Sequence, residues 1–224
     1  MNLHGIGQII WDWNGTLIND TWICVEIVNR LLKRIGKPIL TIEDYRGIFD
    51  FPVIDSYRAL GFDFDKISYE EICDDYVLEY YSRLSEYSLH DGAMELLDYF
   101  AARRIPQVIL SATERGRLER AVSHFGITHY FEALVGCDDH AAGGKKEQAL
   151  IYMSRHRVNP RSALVIGDTT HDCEVSATMG TRCLLVPNGH QSREKVLSCG
   201  CPSASSLREV MNLFEVDAAP LRSP

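Results

Sequence analysis

The chain has 224 residues, of which 46% are hydrophobic and 24% charged, and a formal net charge of −8. That length buries one core, or one core carrying an inserted subdomain, and leaves little room for two independent domains. The acidic balance argues against a nucleic-acid surface, which needs clustered Lys and Arg, and the apolar content argues against a disordered chain.

Seven cysteines at irregular spacing, with Cys199-Gly-Cys201 the only close pair, predict reduced thiols in a cytoplasmic protein. The N-terminus offers only Ile6 to Trp11 as an apolar stretch. That is shorter than a signal-peptide core and far short of the roughly 20 residues that span a bilayer. The expectation is a soluble protein, monomer or homodimer, with no membrane or nucleic-acid partner.

In chain order, the first apolar run rich in β-branched or aromatic residues is Gln8–Trp13, followed by Gln107–Ser111, Ala133–Val135, Ala163–Ile166 and Cys183–Val186. Each fits a strand buried on both faces. Helical patterns at Gly92–Arg104, Glu114–Phe125, Glu147–His156 and His171–Met179 alternate with the later runs. This alternation predicts an α/β fold, a doubly wound, Rossmann-like parallel sheet, in which ligands sit at the C-terminal ends of the strands.

Residues 19–88 break the alternation. Thr21–Ile35 carries a helical stripe of Ile23, Ile27, Val28, Leu31, Leu32 and Ile35 that ends at Gly36 and Pro38, Tyr69–Leu84 is similar, and no convincing strand lies among them. The division expected is an α/β core from 1–18 and 89–224 and an α-helical cap subdomain from 19–88. The tail from Asp217 to Pro224 is expected to fray.

Three strand ends carry polar residues. Asp12-Trp13-Asn14-Gly15-Thr16 follows the first run, Ser111-Ala112-Thr113 follows the second, and Gly167-Asp168-Thr169-Thr170-His171-Asp172 follows the fourth. Asp12 and Asp168 on different strands supply the paired carboxylates that a hard cation such as Mg²⁺ requires. Lys145 or Lys146 adds a positive charge at the start of the next helix. Read blandly, Asp168 and Asp172 are a helix N-cap and a first-turn acid, and Ser111 is a loop hydroxyl. Trp11 and Trp13 read as packing residues. There is no His-x-x-x-His pair for zinc, no Gly-x-Ser-x-Gly elbow, no Walker loop and no Gly-x-Gly-x-x-Gly fingerprint.

Asp12-Trp13-Asn14-Gly15-Thr16-Leu17 resembles the first motif of the haloacid dehalogenase superfamily, Asp-x-Asp-Gly-Thr-Leu. Ser111 resembles its second motif, Lys145 its third, and Gly167-Asp168-x-x-x-Asp172 its fourth, in the same order. The helical segment between motifs one and two resembles the cap of phosphoglycolate phosphatase-like members.

The resemblance implies a Mg²⁺-dependent phosphatase of small phosphorylated metabolites in which Asp12 forms an aspartyl-phosphate. It places the metal on the Asp12 carboxylate, the Asn14 backbone carbonyl and Asp168, with Asp172 as a ligand through water or just behind. It places Thr16, Ser111 and Ala112 on the substrate, and Lys145, favoured over Lys146 because Gly143-Gly144 precedes it, on the phosphate charge. Arg46 is a candidate anion contact from the cap, and His190 a residue at the edge of the site.

The chain departs from the family pattern at Asn14, where phosphatases carry the Asp that protonates the leaving oxygen. That loss removes a general acid and base worth about 10²–10⁴ in rate, while a backbone carbonyl ligand is unaffected. The sequence leaves several outcomes open. Leaving groups could need little protonation, another acid such as His171 or a cap residue could serve, or the protein could bind phosphate ligands with poor turnover, in a regulatory role. Dehalogenases and phosphonate-cleaving relatives also lack this Asp, and an introduced change at Asn14 is a further alternative.

Overall fold

The computed structural model describes residues 4–137 and 144–218, with side chains described to Phe214. Strand β1 (Gln8–Trp11) runs through the centre of a parallel sheet, its Ile9, Ile10 and Trp11 fully buried. It is flanked by β4 (Gln107–Glu114) on one side and β6 (Ala163–Gly167) on the other. The outer strands are β5 (Ala133–Cys137) and β7 (Arg182–Leu185), giving the order β5-β4-β1-β6-β7. Register aligns Trp11 with both Ile109 and Ile166. Asp12, Ser111 and Asp168 therefore leave one edge of the sheet side by side.

Helices α5 (Ala93–Ala102), α6 (Arg115–His124), α7 (Lys145–His156) and α8 (Thr170–Met179) cover the sheet, and α9 (Arg193–Ser198) and α10 (Leu207–Ala218) follow β7. The predicted Rossmann-like α/β class is the observed one.

Between β1 and α5 the chain forms β2 (Ile18–Asn19), α1 (Thr21–Arg34), α2 (Ile42–Ile48), α3 (Val53–Ala59), α4 (Tyr69–Ser82) and β3 (Ser88–Leu89). The local reasons are visible. Helix α1 buries Ile23, Ile27, Val28, Leu31 and Leu32 of the predicted stripe, with Ile35 half-buried just past its end, carries Lys33 and Arg34 in its last turn, and is followed by Gly36 at φ +68. Capping boxes start α2 (Thr41 with Asp44) and α4 (Ser68 with Glu71).

Several expectations need correction. Residues 19–88 are not purely helical at their ends, because β2 and β3 pair antiparallel, Ile18 with Leu89 and Asn19 with Ser88. Two-residue strands are too short to show an alternating pattern. Ser111, Ala112 and Thr113 belong to β4, whose pairing to β5 shifts register between Leu110 and Glu114, rather than to a loop. Asp217 and Ala218 are helical in α10, while the rest of the tail and Gly143 lie outside the described residues.

The cysteines are not all reduced. Cys173 of α8 and Cys201 form a disulfide, and Cys24, Cys73, Cys137, Cys183 and Cys199 are free thiols. Cys173, Cys199 and Cys201 converge on the small apolar cluster of Cys183, Leu185 and Val196, which brings together partners distant in sequence. Among the described residues no helix is long and apolar enough to cross a membrane.

Candidate active site

Asp12 is the first residue beyond β1 and is 8% exposed. Its Oδ1 lies 2.5 Å from Lys145 Nζ, and the same ammonium reaches Asp172 Oδ1 at 2.6 Å. Lys145 is delivered by the first turn of α7 and is itself buried. Its neighbour Lys146 points away and pairs with Glu174 at the surface. Adjacent residues at a helix start diverge by about 100° around the axis, which lets only one of the two face inward.

Asp168 follows β6 and is held by the His190 backbone N–H, which donates to its Oδ2 at 2.6 Å. Thr16 ties the two strand ends together: its hydroxyl donates to Asp12 Oδ2 at 2.9 Å and lies 3.2 Å from Asp168 Oδ1. This crowding demands glycine at two positions. Gly15 has φ +74, and a Cβ on it or on Gly189 would overlap the Asp168 carboxylate. Asp172 serves twice, since its Oδ2 accepts from Thr169 N and Oγ1 in the capping box that begins α8. The cap reading and the site reading of Asp172 therefore hold together.

Burial dominates the electrostatics. It raises Asp12 to about 6 against the opposing pull of Lys145, and raises Asp168 to about 8 against the pull of His190. At Asp172 burial is outweighed by the Lys145 charge and the bonds from Lys145 and Thr169, so its carboxyl lies below the usual range. Oxygens of Asp12, Asp168 and Asp172 all lie within 4.8 Å of one another. Three buried carboxylates with one lysine, bonded to two of them, carry excess negative charge, and their donors are all hard oxygens. The set fits a divalent cation such as Mg²⁺.

Asn14 sits in a second network, in which its own amide is fully bonded. Its Nδ2 donates to Asp20 Oδ2 and to the Tyr80 hydroxyl, each at 2.8 Å, and its Oδ1 accepts from the Thr113 hydroxyl at 2.9 Å. Tyr80 donates to Asp20 Oδ2 at 2.6 Å, and the Gly15 N–H donates to Asp20 Oδ1 at 2.9 Å. His190 Nε2 lies 3.2 Å from Asp20 Oδ1, and its Nδ1 meets the Tyr45 hydroxyl at 3.1 Å. Burial disfavours the His190 cation, but the charges of Asp20, Asp168 and Asp12, with the Asp20 bond, outweigh it and raise the imidazole to about 9.

Asp12, Asn14, Ser111, Ala112, Lys145, Asp168, His171 and His190 all face one cavity of about 230 Å³. Ser111 is fully buried on its wall, and Thr16 lies just behind Asp12. His171 stacks on Phe51 with ring centroids 4.5 Å apart, and burial, then the Lys145 charge, lower its pKa. A neutral imidazole of this kind is a poor proton donor near neutral pH. Trp11 and Trp13 pack against Phe100 and Phe125 inside the core, as expected.

Arg46 is a correction. Its Nε donates to the Gly189 carbonyl at 2.9 Å and its Nη2 to the Asn188 carbonyl at 2.8 Å, and it does not line the cavity. It fastens α2 to the loop after β7. Asp20 and Tyr80 were missed from sequence. The one signal was that Asp20 precedes α1 like an N-cap, yet its side chain makes no capping bond there.

Comparison with known proteins agrees with this geometry. The family model for haloacid dehalogenase-like hydrolases matches residues 9–186, and the chain belongs to that family. It is 26% identical over 184 residues to the tyrosine-protein kinase PtkA of Mycobacterium tuberculosis, covering 81% of this chain and 62% of the relative, so it spans under two thirds of that protein. It is 22% identical over 187 residues to the phosphoglycolate phosphatase of Rhodobacter capsulatus, covering 82% of this chain and 85% of that one. Among solved structures, a haloacid dehalogenase-like family protein from Streptococcus pneumoniae superposes with a TM-score of 0.80 at 22% identity, covering 94% and 99% of the two chains. That likeness speaks to the fold.

Proposed function

We propose that the protein is a phosphatase of small phosphorylated metabolites that works through a phosphorylated Asp12. The observation that carries this reading is the Lys145 ammonium held between Asp12 and Asp172, at 2.5 and 2.6 Å, at the floor of a cavity that Asp168 and Ser111 also face. An anionic nucleophile normally repels a phosphate dianion. Here Lys145 offsets that repulsion and fixes the carboxylate, and the Ser111 hydroxyl and nearby backbone N–H groups bind phosphoryl oxygens.

In this reading Asp12, the Asn14 carbonyl and Asp168 hold Mg²⁺, with Asp172 behind them. The ion supplies charge neutralisation at the phosphoryl group. Residues 19–88 act as a cap over the strand ends, with Arg46 helping to dock it. The family membership and the relatedness to a phosphoglycolate phosphatase support the assignment. The test is phosphate release from a metabolite panel, phosphoglycolate included, with and without Mg²⁺. Release that exceeds an Asp12→Ala control by about 10³-fold is expected; equal release from both proteins overturns the proposal.

A second reading has one observation in its favour. The Asn14 amide makes three bonds and offers no exchangeable acid, as in a phosphate-binding regulatory protein with weak turnover. Tight phosphate binding by calorimetry, with no release in that assay, would select it.

A further inference from the structure

The cavity above the phosphate floor is walled by the helical segment, and the side chains there are Val28, Leu40, Phe49, Tyr57, Leu60 and Tyr76 among others. This wall is mostly aliphatic and aromatic, with Ser56 and tyrosine hydroxyls as its neutral polar groups. A cavity of about 150 Å³ takes a benzene ring, so about 230 Å³ accommodates one ring together with part of a phosphoryl group.

Lys145 and Arg117 line the cavity among the described residues, together with the imidazoles of His190, which lies 3.2 Å from Asp20, and of His171, which is stacked on Phe51. Lys145 is bound by Asp12 and Asp172, while Arg117 lies 3.9 Å from Glu114 and over the Tyr81 ring at 5.5 Å. A leaving group with its own carboxylate, such as glycolate, would desolvate that charge against an apolar wall without a dedicated partner.

Asn14 points the same way independently. With no acid at that position, expulsion is easiest for an oxygen that departs as an anion. A phenolic oxygen, with a pKa of about 10, is far better suited than an alkoxide.

We propose that the cavity takes the uncharged aromatic ring of an aryl phosphate monoester, so that the enzyme's substrates are phosphate esters of phenols. This rests on the phosphatase reading for its chemistry and on the cavity for its selectivity. The Asp12 carboxylate oxygen forms a bond to phosphorus as the phosphorus–phenolic oxygen bond breaks. The electron pair leaves on the phenolate, which takes a proton from water. Water then attacks phosphorus of the aspartyl-phosphate, losing its proton to the phosphate released, and the Asp12 carboxylate is regenerated. The second leaving group is a carboxylate and needs no acid either.

The test separates binding from turnover. Calorimetry on the full chain with Mg²⁺ compares 4-methylbenzylphosphonate with 4-(carboxymethyl)benzylphosphonate, neither of which can be hydrolysed at the phosphorus–carbon bond. At least about tenfold tighter binding of the methyl compound is expected, and Leu60→Lys should narrow or invert that ratio. Equal binding, or preference for the carboxymethyl compound by the unaltered protein, overturns the inference. In parallel, kcat/KM is measured for 4-methylphenyl phosphate, 4-(carboxymethyl)phenyl phosphate, phosphoglycolate and acetyl phosphate. 4-Methylphenyl phosphate should lead both carboxylate-bearing substrates by about tenfold. Efficient hydrolysis led by phosphoglycolate would overturn the aryl preference and leave the phosphatase reading standing. No release from any of the four, acetyl phosphate included, would overturn the phosphatase reading itself, whatever the phosphonates show.

Discussion

Asn14 donates its amide N–H to the buried carboxylate of Asp20 at 2.8 Å, and that contact sets what residue 14 can be. With Thr113 on its oxygen and Tyr80 and Asp20 on its nitrogen, the amide is matched to its surroundings in both orientation and charge. An aspartate there would set two carboxylates in contact.

Asn14→Asp alone is therefore expected to destabilise the fold by about 1–3 kcal/mol and to leave turnover of alkyl phosphates nearly unchanged. Pairing it with Asp20→Asn should restore stability and, by supplying the missing acid, raise alkyl phosphate turnover by about 10²-fold. Thermal unfolding and steady-state rates on the three variants check this. A single Asn14→Asp variant that is both stable and faster would show that Asp20 does not constrain the position.

Lys145→Met removes the one ammonium shared by Asp12 and Asp172, both buried. Leaving such charges unpaired costs about 3–5 kcal/mol. The Lys146→Met change should cost little, because its partner Glu174 is more than half exposed. Denaturant unfolding of the two variants under one set of conditions compares them directly.

The pH dependence of the metal-free protein follows from the raised carboxyls. Asp12 at about 6 and Asp168 at about 8 lie above the ordinary value of 3.8, so between these limits the folded chain holds protons that the unfolded chain releases. Stability then falls as pH rises across that window. His190, raised to about 9, acts in the same direction because its bound proton is lost only above the unfolded value of 6.5. Mg²⁺ should flatten the fall by holding Asp12 and Asp168 ionised, and at a hundred times its Kd should add about 2.7 kcal/mol. Asp168→Asn should abolish most of that gain. Melting temperatures from pH 5 to pH 9, with and without Mg²⁺, provide the measurement.

Gly189→Ala forces a methyl group into the Asp168 carboxylate and close to the Gly15 carbonyl. The expected outcome is a loss of Mg²⁺ affinity of about 10–100-fold. Gly7→Ala is the control, since its methyl group would meet Ser162 at an ordinary 3.7 Å. Titration calorimetry with Mg²⁺ distinguishes the two. Equal affinities would mean that the loop after β7 yields without moving Asp168.

Much of this arrangement was legible in the residue pattern. Asp12 and Asp168 announce themselves because each ends a buried apolar run, and strands of one parallel sheet must deliver their C-terminal ends to the same edge. Lys145 is favoured over Lys146 only by the glycines before it; what decides between them, the rotation of α7 about its axis, is not carried by the residue pattern. Arg46 looked like a free cation because its partners, the carbonyls of Asn188 and Gly189, lie more than 140 residues away. Asp20 was hidden by a local role it resembles: an acid before a helix reads as a cap, and only the fold brings Asn14, Tyr80 and His190 around it. The β2–β3 pair was invisible for a simpler reason, as two residues carry no period.

That small ribbon has a consequence for how the molecule tolerates change. The chain enters the helical segment through Ile18–Asn19 and returns through Ser88–Leu89, and the two crossings are bonded to each other. The segment's two ends thus enter and leave through one clasp, while Arg46, Tyr45 and Tyr80 above it bond back to the Asn188 and Gly189 carbonyls, to His190 and to Asn14. Lengthening a loop above the clasp, away from Tyr45, Arg46 and Tyr80, therefore need not shift Asp12, Ser111 or Asp168.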